Sequence, residues 1–180
     1  MVSKPVAHSM LLLRIVALAA SAVTVAILVT DKVNFNDGTS LTFRDFNSYW
    51  YELVVAAIAG AYCIVQLPFA IYHSVHGKRF IRNQVLPEFD FHGDKVITYL
   101  VASGIGAGFA VTLEFKKFFD RLFDLAGTPK KDPTRSTTDK FFVRAIIASS
   151  VLIVAFLAMA IVSAISSINR SKSKSKGIFG

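Results

Sequence analysis

Cys63 is the only cysteine in this 180-residue chain. No intramolecular disulfide can form, so the loops must be held by other means. Charge is scarce too: 18% of residues are Asp, Glu, Lys or Arg, against 53% hydrophobic. A soluble domain is excluded by that balance, and so is a nucleic-acid binder, which is not this apolar. Catalytic signatures are missing. No P-loop, nucleophile elbow or HExxH motif occurs, and no position offers a nucleophile and a base together. Of the four histidines, His73 and His76 are spaced i, i+3, but no carboxylate or cysteine stands beside them at a ligand spacing. Solvated interfacial histidines are expected, with no metal and no cofactor.

Long apolar runs dominate what is present. Residues 10–29 read MLLLRIVALAASAVTVAILV, apolar or small except for Arg14. Further runs cover residues 49–72, 94–113 and 143–168. Each is long enough to cross a hydrocarbon layer of about 30 Å as a helix. The fold class expected is an all-α membrane protein, a four-transmembrane-helix bundle. Ala17-Leu18-Ala19 and Ala20-Ser21-Ala22 resemble leader cleavage sites. The apolar run nevertheless continues to Val29 and Arg14 interrupts it, which argues against cleavage.

Polar segments separate the spans. Residues 1–9 precede the first. Residues 30–48 form a first loop, with Asn34, Asn36, Asp37 and Gly38 as turn formers. Tyr49-Trp50-Tyr51 makes an aromatic belt at the second span's opening, and Pro68 should kink or loosen its last turns. Residues 73–93 connect to the third span. Residues 114–142 form a second loop that begins with an amphipathic helix at 114–126. There Phe115, Phe118, Phe119, Leu122 and Phe123 recur at helical spacing before Gly127-Thr128-Pro129 stops the pattern. The helix either projects from the membrane or lies on its surface, and its phenylalanines either pack on the protein's own loops or contact lipid. The tail, 169–180, alternates serine with Arg170, Lys172, Lys174 and Lys176; disorder in water is expected of it. Lys and Arg counts nearly tie between the two sides. The dense, acid-free tail is the stronger signal, and it places both termini in the cytoplasm, against anionic lipid headgroups. Asn169-Arg170-Ser171, the sole glycosylation sequon, is then unused.

Arg14 is the most informative single residue. A charge inside a spanning helix costs roughly 3 kcal/mol on insertion scales and calls for a partner or for snorkelling. Arg14 lies about 6 Å into the first span at 1.5 Å per residue. Asp94 opens the third span, which starts on the same side. A bidentate pair of the two would shield both charges from lipid; the alternative is a snorkelling Arg14 and a helix-capping Asp94. Glu52, Glu114 and Arg144 lie towards the opposite side, either as an outer polar cluster or as independent solvated charges. Gly104 and Gly108, and Ala56 and Gly60, form small-xxx-small spacings for close helix packing, within one chain or between chains.

Arg14 in the first span and Asp94 in the third match the hallmarks of the plant Casparian strip membrane domain protein-like (CASP-like) family, related to MARVEL-type four-span proteins. FNSYWYELVVAAIAGAYCIVQ from Phe46 resembles that family's second-span opening, and FDFHGDKVITYLVASGIGAGFAVT from Phe89 its third. The resemblance spans about residues 11–167. It implies an Arg14–Asp94 pair, cytoplasmic termini, a plasma-membrane location, and homodimers, heterodimers or higher oligomers with related four-span proteins. Founding members form immobile scaffolds that gather lignin-polymerising enzymes at one strip of cell wall. The first outer loop here is short and lacks the signature of the strip-forming members, so only the scaffold role carries over. The expected function is a non-enzymatic scaffold, with lipids and cell-wall enzymes as partners and no nucleic acid. The alternative is a small ion or solute channel or transporter, because intramembrane charges often mark a conduction path.

Overall fold

The computed structural model describes residues 4–34, 38–76, 85–129 and 132–178. Four helices carry the chain: α1 (Lys4–Thr30), α2 (Asn47–His76), α3 (Val85–Leu125) and α4 (Pro133–Ile178). Each contains a stretch long and apolar enough to cross a membrane. Around the bundle, α1 packs on α2 and α4, and α3 packs on the same two helices. The ring order is therefore α1–α2–α3–α4, with α1 facing α3, and α2 facing α4, across the two diagonals. Both chain ends lie at one face, which we term the terminal face.

Small side chains let these helices close up. Ala17, Ala20, Ala56, Ala59, Val101 and Ala155 are all buried in one apolar core. The opposite face is closed by a second core, in which Phe46, Phe141 and Phe142 surround Leu28 and Tyr49. The first loop is more ordered than its turn formers suggest. Strands β1 (Lys32–Asn34) and β2 (Ser40–Thr42) pair antiparallel, with Val33 opposite Leu41. Val33 then tucks into the aromatic cap. Asp45 accepts bonds from the Thr42 amide at 2.7 Å and its hydroxyl at 3.0 Å, fixing the turn into α2. Asn36 and Asp37 lie outside the described residues.

The helix α2 runs through Pro68 to His76 as one element, lacking the amide bond to the Ile64 carbonyl that a proline cannot make. Two expectations about the elements change. The third span and the segment 114–126 form a single helix, α3, of 41 residues. At 1.5 Å per residue that is about 60 Å, twice a hydrocarbon layer, so its end projects rather than lying flat. The basic tail continues α4 as helix to Ile178, since extending a formed helix is far easier than nucleating one.

The projecting end of α3 and the start of α4 form a helical hairpin. Arg135 donates to Asp124 at 2.7 Å and to Asp120 at 3.4 Å, and Lys116 meets Asp139 at 3.8 Å. Phe115 packs edge-on against Phe46, and Phe119 against Phe142. Those two phenylalanines serve the protein's own packing. Phe118, 56% exposed, and Leu125, 88% exposed, do not.

Candidate functional site

Near the terminal face, Arg14 and Asp94 meet across the α1–α3 diagonal, both buried. Arg14 reaches α3 because its position, one turn from Ala17, faces the bundle axis. One guanidinium nitrogen, Nη2, donates to both Asp94 oxygens, at 3.0 and 3.2 Å. The expected two-nitrogen fork is not formed. Nη1 is buried without an acceptor, and the guanidinium carbon lies 5.8 Å from the Tyr62 ring centroid.

Asp94 has a second donor, the Tyr62 hydroxyl at 2.8 Å. Gln66, one turn further along α2, donates to Tyr62 Oη at 3.1 Å and to Asp90 at 2.9 Å. A chain of polar contacts thus runs from Arg14 through Asp94, Tyr62 and Gln66 to Asp90. Gly93 makes room for it: a Cβ there would sit 2.7 Å from the Tyr62 hydroxyl. Tyr62, Gln66, Asp90 and Gly93 escaped the sequence reading. The available signal was two polar pairs at i, i+4, Tyr62/Gln66 on one span and Asp90/Asp94 on another.

Glu52, Glu114 and Arg144 are not brought together. Glu114 is exposed at the α3 surface. Arg144 Nη1 stands 3.6 Å from the buried carboxylate of Asp31, where α1 ends. Burial pushes Asp31 up to about 6 from an ordinary 3.8, although Arg144 pulls the other way. Glu52 points into the bundle instead. Helical phase explains the difference: Glu52, Ala56 and Ala59 share the buried stripe of α2. Its carboxylate faces Gly108 of α3 and Ser149 of α4.

The small-residue pairs pack within the chain. A Cβ on Gly104 would lie 2.9 Å from Val55, and one on Gly108 would collide with Glu52 and Ser149. Ala56 is fully buried, and Gly60 faces Leu18 and Ser21 of α1. The His73 side chain lies outside the described residues; among those described, no three His, Cys, Asp or Glu residues gather as metal ligands.

Between the Arg14–Asp94 pair and Glu52 the interior is mostly apolar, with the hydroxyls of Ser21 and Thr98 buried in it. The α2 positions Tyr62 and Glu52 are ten residues apart, about 15 Å along the helix. Ala17, Ala56, Ala59 and Val101 fill the interval.

Comparison with known proteins places the chain among similar sequences. Residues 3–121 match the Casparian strip membrane protein domain. The chain is 36% identical to CASP-like protein 4D2 of Arabidopsis thaliana over 166 residues, covering 91% of this chain and 90% of that protein. It is 35% identical to CASP-like protein 4D1 of Sorghum bicolor over 167 residues, covering 86% of each. No solved structure matches.

Proposed function

The chain belongs to the Casparian strip membrane protein domain family, and on that premise we propose that it is a non-enzymatic scaffold of the plasma membrane. In this reading it self-associates, with itself and with related four-span proteins, and gathers cell-wall-modifying machinery at the face opposite its termini. Both termini are cytoplasmic, and the basic end of α4 meets anionic headgroups.

The observation that carries the reading is the sealed interior. Arg14 is tied to Asp94, Glu52 is enclosed, and a mostly apolar interval, with no charge and only the short hydroxyls of Ser21 and Thr98, separates them. A conduction path needs polar groups continuous through the membrane, so this arrangement favours a scaffold over a channel or transporter. The Arg14–Asp94 pair, with Tyr62, would hold a diagonal that helix packing covers little. Ala102, Gly106 and Ala110 lie outward on α3, with open space beside Gly106. Such a stripe suits close approach of a neighbouring helix. The hairpin at the end of α3 offers Phe118 and Leu122 to partners beyond the bilayer.

Purified protein reconstituted into vesicles tests this. Crosslinking should give dimers and larger species, with no ion flux above empty vesicles. Flux that Arg14→Gln or Asp94→Asn abolishes would replace the scaffold with the transporter.

A further inference from the structure

Glu52 is fully buried, and neither of its carboxylate oxygens has a hydrogen-bond partner. The groups around it come from every helix. Gly108 and Thr112 face it from α3, Ser149 from α4, Thr24 from the same level of α1, and Tyr49 lies one turn away on α2. None of these carries a positive charge. Asp31, a second acid, also acts on Tyr49, and the cation beside it, Arg144, is directed at Asp31. Tyr49 and Thr112 are engaged with each other at 2.9 Å, and Thr24 donates to the Ala20 and Ala148 carbonyls. Ser149 Oγ is buried and, like Glu52, has no partner.

An ionised carboxylate with one neutral hydroxyl beside it and no counter-charge is not tolerated in such an interior. A metal cation does not answer the need. Hard cations take six or more oxygens, and only Ser149 remains free to help. Nor is there a gap: the carboxylate lies where even a methyl on Gly108 would collide. The occupant that fits is the smallest one.

We propose that Glu52 is a proton-binding site: its carboxyl is held as the neutral acid, with the O–H turned towards Ser149 across the α2–α4 diagonal. The proton comes from a solvent hydronium ion: one of its O–H bonds breaks, leaving water, as the new O–H bond forms on one carboxylate oxygen, with no change of oxidation state. The acid satisfies both orphaned groups at once, the hydroxyl on Ser149 and one oxygen on Glu52. The two diagonals of the bundle are then closed by different chemistry, an ion pair between α1 and α3 and a neutral acid between α2 and α4.

The chain has three glutamates, Glu52, Glu88 and Glu114, so carboxyl-13C glutamate labelling isolates them from every aspartate. Infrared spectra of the labelled full-length protein in lipid nanodiscs at about pH 6, where solvated glutamates are ionised, test the site. The expected result is one carbonyl band at the frequency of a protonated acid, shifted by deuterium oxide and lost in Glu52→Gln. Ser149→Ala should move that band to higher frequency without removing it. If Glu52→Gln does not fold, the variant carrying Glu88→Gln and Glu114→Gln leaves Glu52 as the only labelled carboxyl and must keep the band. All labelled groups absorbing as carboxylates would overturn the proposal, as would an acid band that survives in Glu52→Gln. A Glu52 carboxylate band that shifts when sodium replaces choline would overturn it in favour of a cation.

Discussion

Arg14 keeps one buried nitrogen without an acceptor, so its hydrogen bonding rests on Asp94, with the Tyr62 ring beside the guanidinium. Asp94→Ala strands the guanidinium, and breaking a buried pair from one side costs about 3–5 kcal/mol. Folded yield in detergent should collapse; an unchanged yield would contradict the role. The exchange Arg14→Asp with Asp94→Arg should recover part of the loss, because the partners then face each other again. Tyr62→Phe removes one donor from a charged acceptor and should cost about 1.5–3 kcal/mol, read as a lower unfolding temperature. At the other face, Asp31 gives a pH signature. Its folded carboxyl is up at about 6 while the unfolded value is near 3.8. The folded state therefore holds this proton more tightly, and its contribution is complete below about pH 4. It is lost as pH rises through 6. Wild type should lose stability relative to Asp31→Asn across that window, and Arg144→Gln, which removes the lowering influence, should shift the window upward. Parallel curves for wild type and Asp31→Asn would contradict this. Arg14 and Asp94 were legible beforehand because a charge in an apolar run has few explanations. Glu52 was not: near a span's end, a buried and a solvated carboxylate look alike until helical phase is fixed by packing.

The helices were legible in number and approximate position because apolar runs of this length admit little else. Their true ends were not. The α3 pattern changes from fully apolar to amphipathic near Glu114, which reads as a boundary, yet the backbone continues because the hairpin partner, α4, supplies contacts such as Phe119 to Phe142. The short β-ribbon was hidden because it rests on one buried side chain, Val33, rather than on a strand-length pattern. The glycines of α3 separate by phase in the same way. Gly106 has nothing within 4 Å of a added Cβ, so Gly106→Ala should be neutral or stabilise by up to about 1 kcal/mol in a monomer. Gly104→Ala meets Val55 at 2.9 Å, and overpacking of that kind costs about 1–3 kcal/mol. Gly108→Ala should be the worst of the three, since its neighbours are the Glu52 carboxyl and the Ser149 hydroxyl. Thermal melting of the three variants in detergent checks the order. Equal effects would mean that α3 is rotated from the orientation described.

At the scale of the whole molecule, four helices form a ring whose neighbours pack through small residues and whose α1–α3 diagonal is held by an ion pair. The Arg14–Asp94 diagonal fixes the terminal half; the aromatic cap and the β-ribbon close the other. Among the described residues, the surfaces turned outward are the Ala102–Gly106–Ala110 stripe of α3 and the projecting hairpin. Resemblance to known four-span proteins could be read from Arg14, Asp94 and two sequence segments. The partners could not, because recognition by an exposed stripe or hairpin leaves no residue pattern distinct from ordinary lipid contact. A scaffold of this kind should move slowly and in company. Single-particle tracking of a fluorescent fusion in plant plasma membrane, with crosslinking of the same sample, tests that directly. Slow, clustered particles with dimer or higher bands are expected, and fast-diffusing monomers without crosslinked species would contradict the account.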